Sequence, residues 1–177
     1  MAKRKSSIEP EPNLEKLTAS RKEVREGDIF VLRPKGHDFY FGRVIKIGTK
    51  VGLLPDDEVW GFDRLIYVYN AHSPTKLPVP ELRLADLLIR PLVVNNTGWL
   101  RGYFEVVEHR DLEPQDVPSV HCFQSSSGRY LDEMGRSLPR RYEPCGNYGI
   151  GSFRTVDAVV SDALGIPQAP DWINPGR

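Results

Sequence analysis

The sequence predicts an α+β fold that is mostly β: a small curled antiparallel sheet, or an SH3-like partly open barrel, with one amphipathic helix packed on it near the C-terminus. Three observations carry this. Residues 26–48, "EGDIFVLRPKGHDFYFGRVIKIG", hold two runs of β-branched and aromatic residues around Pro34 and Gly36, which reads as a hairpin. Gly and Pro, 15 of each among 177 residues, favour short strands joined by turns. The run "TVDAVVSDALG" near the end has a helical period.

Each element follows in order. In the first arm of the hairpin Ile29 and Val31 point one way, and Asp28, Phe30 and Leu32 the other. In the second arm Phe39, Phe41, Arg43, Ile45 and Ile47 share one face, and Tyr40, Gly42, Val44 and Lys46 share the other. Apolar residues on both faces, with Gly42 marking a bend or a close backbone approach, suit a curled sheet better than a flat one with a wet side. A loop, "GTKVGLLPDDEVWGFDR", leads to a strand over 65–71, "LIYVYNA". Residues 77–94 fit either a helix started by Pro80 or a strand from which Pro91 excludes a central place. Residues 99–112 alternate as a strand does. Residues 111–153 are irregular, with a hairpin tip at Gly128 and a turn at Gly135. In the last helix Val156, Val159, Val160, Ala163 and Leu164 form one apolar stripe, with Thr155 as N-cap, Asp157 at the positive end of the dipole and Gly165 as the stop.

Composition divides the chain into a basic, disordered tail over 1–22, one globular domain over 23–166 and a short tail over 167–177. Six of the 24 Lys and Arg lie in residues 1–22 against three acids, which leaves residues 23–177 at a net charge of −3. A mildly acidic domain is a poor match for a phosphate backbone. The polar run after "MAKRKSS" argues against a signal peptide, and no apolar run reaches the roughly 18 residues of a membrane helix. Two cysteines, Cys122 and Cys145, make no disulfide framework, so a cytoplasmic protein is expected.

Chemistry is sparse in this sequence. His37–Asp38 and His109–Asp111 are near neighbours, but a strand turns adjacent side chains apart. His121 beside Cys122 offers a Cys–His nucleophile, and His109, His121, Cys122 and Cys145 lack the paired spacing of a zinc site. "GNYGIG" has neither the lysine nor the flanking elements of a phosphate loop. The expectation is therefore no catalytic residue, no metal and no cofactor. Two stretches suit a protein partner: Asp56, Asp57 and Glu58 beside Trp60, an acidic rim next to an aromatic anchor, and Arg140, Arg141 and Tyr142 between prolines. A solvated loop and an exposed turn are the plainer readings of the two.

"EGDIFVLRP", "FYFGRVI", "LIYVYNA" and "GWLRGYFEVV", in that order and with "GRYLDEMG" and the closing helix after them, resemble the immunity protein 26 family of bacterial polymorphic toxin systems over about residues 23–166. The family opens with a Gly-Asp-(Ile/Val)-Phe strand and continues with an aromatic-Gly-Arg-Val strand, matched here by Tyr40, Phe41, Gly42, Arg43 and Val44. The resemblance implies a non-enzymatic protein that binds a cognate toxin and blocks it, and the basic cleft of a nuclease would suit residues 56–58. A small barrel that binds nucleic acid or peptide, and a barrel-type hydrolase or nuclease acting through His121, Cys122 or the acidic loop, are the alternatives from other classes.

Overall fold

A computed structural model describes residues 9–53, 58 and 61–170 of the chain. The hairpin is formed by β1 (Asp28–Leu32) and β2 (Phe39–Ile47), antiparallel, with Phe30 opposite Gly42 and Val31 opposite Phe41. Every residue of β1 is buried. Phe30 and Leu32 enter one core with Tyr40 and Val44, while Ile29 and Val31 enter another with Phe39 and Phe41. Both faces of the hairpin are covered, as its double apolar pattern predicts.

β3 (Arg64–Ser73) pairs with β2, and β4 (Leu92–Val94) pairs with β3 directly after the buried Pro91. The stretch before it forms no helix; its backbone runs alongside β3, with Leu88 N–H bonded to Val68 O at 2.9 Å. The expected strand over 99–112 is shorter than its alternation suggests. Thr97–Leu100 forms the short helix α1, Gly102 turns the chain at φ 84°, and only Glu105–His109 extends, as β5. Packing overrides alternation here: Trp99 and Phe104 meet edge to face at 5.1 Å, and both lie against Phe30.

The irregular region folds into a second sheet, with β6 (Cys122–Gln124) between β7 (Tyr130–Leu131) and β8 (Cys145–Asn147). The turns at Gly128 and Gly135 fall where the sequence puts them, both at positive φ. β9 (Ile150–Gly151) then pairs parallel with β4 and completes a main sheet of order β5-β1-β2-β3-β4-β9. The main sheet has two free ends, so the barrel does not close.

The helix α2 (Phe153–Leu164) lays Phe153, Val156 and Val160 onto the Phe30 side of the sheet. Its N-cap is Ser152 and not Thr155: the Ser152 hydroxyl accepts from Arg154 N–H, and Thr155 Oγ1 accepts from Ser152 N–H at 3.1 Å. Gly165 ends the helix in the left-handed region.

Residues 9–22, assigned by composition to a disordered tail, are laid across the domain from residue 9 onward. Leu14 is buried, its N–H donates to the buried Asp157 at 2.8 Å, and Glu15 N–H donates to Arg33 O at 2.7 Å. Glu9 joins Arg101 and Arg154, which hold its carboxyl down at about 2. The two leucines and alternating carboxylates of this stretch have partners on the folded surface that composition cannot reveal.

Candidate functional site

Of the residues proposed for partner contact, Asp56, Asp57 and Trp60 lie outside the described residues, and Glu58 is exposed. Arg140 stacks over the Tyr142 ring at 4.6 Å and Arg141 pairs with Glu143, so this basic turn is folded on itself beside β8. Among the described residues no hydrogen bond or ion pair joins Glu58 to residues 140–142, so the two stretches are not seen to form one site.

His121 and Cys122 part company, as neighbours on a strand must. The Cys122 sulfur lies 2.8 Å from that of Cys145, directly opposite in the parallel β6–β8 pair, and both are buried. Burial pushes the Cys145 thiol up to about 12, so it stays protonated at neutral pH and is a poor nucleophile. The His121 ring turns instead to Tyr67 and Glu133, with Nε2 2.8 Å from the tyrosine hydroxyl and Nδ1 3.6 Å from the carboxylate. His121 first, and Lys46 more weakly, hold Glu133 at about 2. Burial keeps Tyr67 protonated, and its hydroxyl shares a hydrogen bond with His121 Nε2. The sequence separates these three residues too widely for spacing to show the line. Tyr67 is fully buried, while His121 and Glu133 line a groove with Ile45 and Lys46, so the line is a polar brace between the two sheets with its outer end open. Among the described residues no cluster of His, Cys, Asp and Glu is placed to hold a metal ion.

The largest change from the sequence reading lies at β5, which ends the main sheet. A groove of about 450 Å³ runs along its outer edge, walled on the far side by residues 18–25. Val106 opens into it, 41% exposed, and the buried Trp99 also lines it. The indole Nε1 of Trp99 has no acceptor among the described residues.

One end of the groove is built by the Gly27–Asp28 pair that starts β1. Gly27 has φ 91°, and a Cβ there would sit 2.4 Å from Arg110 O, so glycine lets β1 and the end of β5 close together. Asp28 accepts from Arg25 N–H at 2.9 Å and meets His109 Nδ1 at 2.7 Å. His109 Nε2 reaches Asp111 at 3.0 Å, so the His109–Asp111 pair is joined and not turned apart as expected, residues two apart sharing one face. Asp28 first, then Asp111, raise the His109 pKa above that of free histidine. In an NMR titration His109 is expected to change charge above about 6.5, and Asp28→Asn is expected to bring it back toward that value. Because the folded value is the higher one, the stabilisation from this pair is complete below about 6.5 and lost as pH rises through the folded value.

A family model described as Immunity protein 26 matches residues 25–131, from just before β1 to the end of β7. The match takes in β5, Asp28 and His109, and leaves residues 140–142 and α2 outside it. No curated protein and no solved structure matches the chain.

Proposed function

The chain belongs to the immunity protein 26 family, and on that premise we propose that it binds a cognate bacterial toxin within the cell and neutralises it by direct contact, without turning over a substrate. The family match carries this reading. Burial of the thiol pair supports it, because the two candidate nucleophiles are held inside the scaffold. No helix among the described residues is long and apolar enough to cross a membrane. The proposed mechanism is steric coverage of the toxin's active site, with aromatic anchors inside a rim of matched charge. A nuclease, whose active-site cleft is basic, is the proposed toxin class on the grounds of the net acidic charge of residues 23–177. Residues 56–58 with Trp60, and Arg140 to Tyr142, enter the proposal on composition alone.

The experiment is affinity capture of the tagged chain from extract of its native cell, followed by co-expression with whatever protein it retains. A stoichiometric multidomain protein, whose terminal domain stops growth alone but not when this chain is co-expressed, is the expected outcome. Recovery of nucleic acid, or turnover of a substrate by the pure chain, would overturn the reading.

A further inference from the structure

Independently of the binding role, we propose that Cys122 and Cys145 are a reversible redox staple: a low-molecular-weight disulfide oxidises the two thiols to one disulfide bond, which ties β6 to β8 across the second sheet. Strand pairing puts the two residues directly opposite each other in a parallel ladder, on one face of the sheet. Neighbouring strands run about 4.8 Å apart, inside the roughly 4.4–6.8 Å between Cα atoms that a disulfide accepts. The sulfurs lie 2.8 Å apart, so a bond about 2.05 Å long needs an approach of less than about 1 Å. The backbone beside each thiol is pinned. Phe123 is fully buried in the core of Tyr67, Tyr69 and Val93, and a Cβ at Gly146 would sit 2.2 Å from Pro91 O. Neither strand can slide without disturbing the main sheet, so the thiols stay in register. The chain has no third cysteine, and no other pairing within it competes.

The exchange runs in two steps. The thiolate of one cysteine attacks a sulfur of the reagent, R–S–S–R; the reagent's S–S bond breaks, giving a mixed disulfide and one R–S⁻. The thiolate of the other cysteine then attacks the protein sulfur of that mixed disulfide, which makes the Cys122–Cys145 bond and releases the second R–S⁻. Two electrons pass from the chain to the reagent, and the two thiol protons leave on the two released thiols. Burial sets the rate of this sequence and not its end point. Cys145 is held protonated and both thiols are covered, so exchange waits for β8 to open locally. The finished bond spans 23 positions and encloses β7 and the Arg140–Tyr142 turn. Tyr142 N–H already donates to the Cys122 sulfur at 3.5 Å, so the turn is tied to the same place. The second sheet is thus held by packing alone where small thiols are kept reduced, and by a covalent bond where they are oxidised.

The test brings the full chain to equilibrium, folded and in denaturant, with mixtures of reduced and oxidised glutathione, then quenches with acid, alkylates and counts free thiols by mass spectrometry. The folded chain is expected to be half oxidised at a ratio of reduced-squared to oxidised glutathione about a hundredfold higher than the denatured chain tolerates. The product should be a monomer about 2 Da lighter than the dithiol chain, and its digest should hold the peptides of Cys122 and Cys145 joined. By linkage, the oxidised chain should unfold at a midpoint roughly 5–10 °C higher. Amides of residues 140–147 should exchange more slowly in it. Cys145→Ala in the same oxidising mixture should show no such rise; the comparison of folded with denatured wild type needs no variant and stands even where Cys145→Ala does not fold. Equal ratios for the folded and denatured chains would overturn the staple. So would glutathione adducts without the internal bond, disulfide-linked dimers, or an oxidised chain that unfolds at or below the midpoint of the reduced one.

Discussion

Gly42→Val is expected to destabilise the domain by about 3 kcal/mol, the upper end of what overpacking a core costs. A Cβ at position 42 would lie 2.3 Å from Cζ of Phe30 and 2.6 and 2.8 Å from its two Cε atoms. The ring cannot retreat, because Trp99 and Phe104 hold it at centroid distances of 5.3 and 5.2 Å. For a chain of this size the unfolding midpoint should fall by roughly 6–12 °C. Denaturant titration followed by circular dichroism measures the loss. Phe30→Leu in the same chain should return part of it, because the two sites share one volume and so are coupled. A Gly42→Val chain as stable as the wild type would mean that β2 does not pass against that ring.

Arg43→Met should cost more, about 3–5 kcal/mol, because it breaks a buried charge pair by removing one partner. Arg43 is 4% exposed. Its Nη2 donates to Arg110 O and Asp111 O, both at 2.9 Å, and its Nη1 lies 3.0 Å from Asp116. A methionine side chain would fill much of the space and satisfy none of the three acceptors. Arg43→Lys should rescue little, since one ammonium cannot copy a planar fork. Replacing Asp116 by Leu in the Arg43→Met chain should recover stability relative to the single variant, and faster exchange over residues 110–116 should report the local damage. Gly42 and Arg43, two residues that carry the resemblance to the family, thus act on the scaffold, one by leaving room and the other by tying the segment after β5 to β2.

That division explains what could be read from the sequence. The hairpin was legible because both of its faces are buried and period-2 patterning survives burial. Ile47 is the exception. A register irregularity between Val44 and Lys46 against β3 carries it into the core of Tyr40 and Val44, away from Ile45, and nothing in the local pattern marks that slip. The strand expected at Trp99 gave way to a helix turn because Trp99 and Phe104 pack on Phe30, a contact made across about 70 residues of chain. Ser152 is hidden as a cap in the sequence because its partner at the third helical position is Thr155 and not an acid or amide. The groove at β5 was invisible for a related reason: an edge is a property of strand order, and alternation in a single strand says nothing about its neighbours.

The segment laid across α2 has a consequence for the order in which the protein is made. Leu14 meets Asp157, 143 positions later, and Asn13 meets Ser161 and Pro167. The hairpin can pair soon after it leaves the ribosome, but the core around Phe30 has no lid until α2 follows it out. At ordinary elongation rates that interval is roughly 6 to 23 s. Throughout it, the face that will receive Phe153, Val156 and Val160 is open to water and to other chains. A nascent chain stalled before α2 would hold a finished hairpin and an uncapped core, the state most exposed to chaperones and proteases.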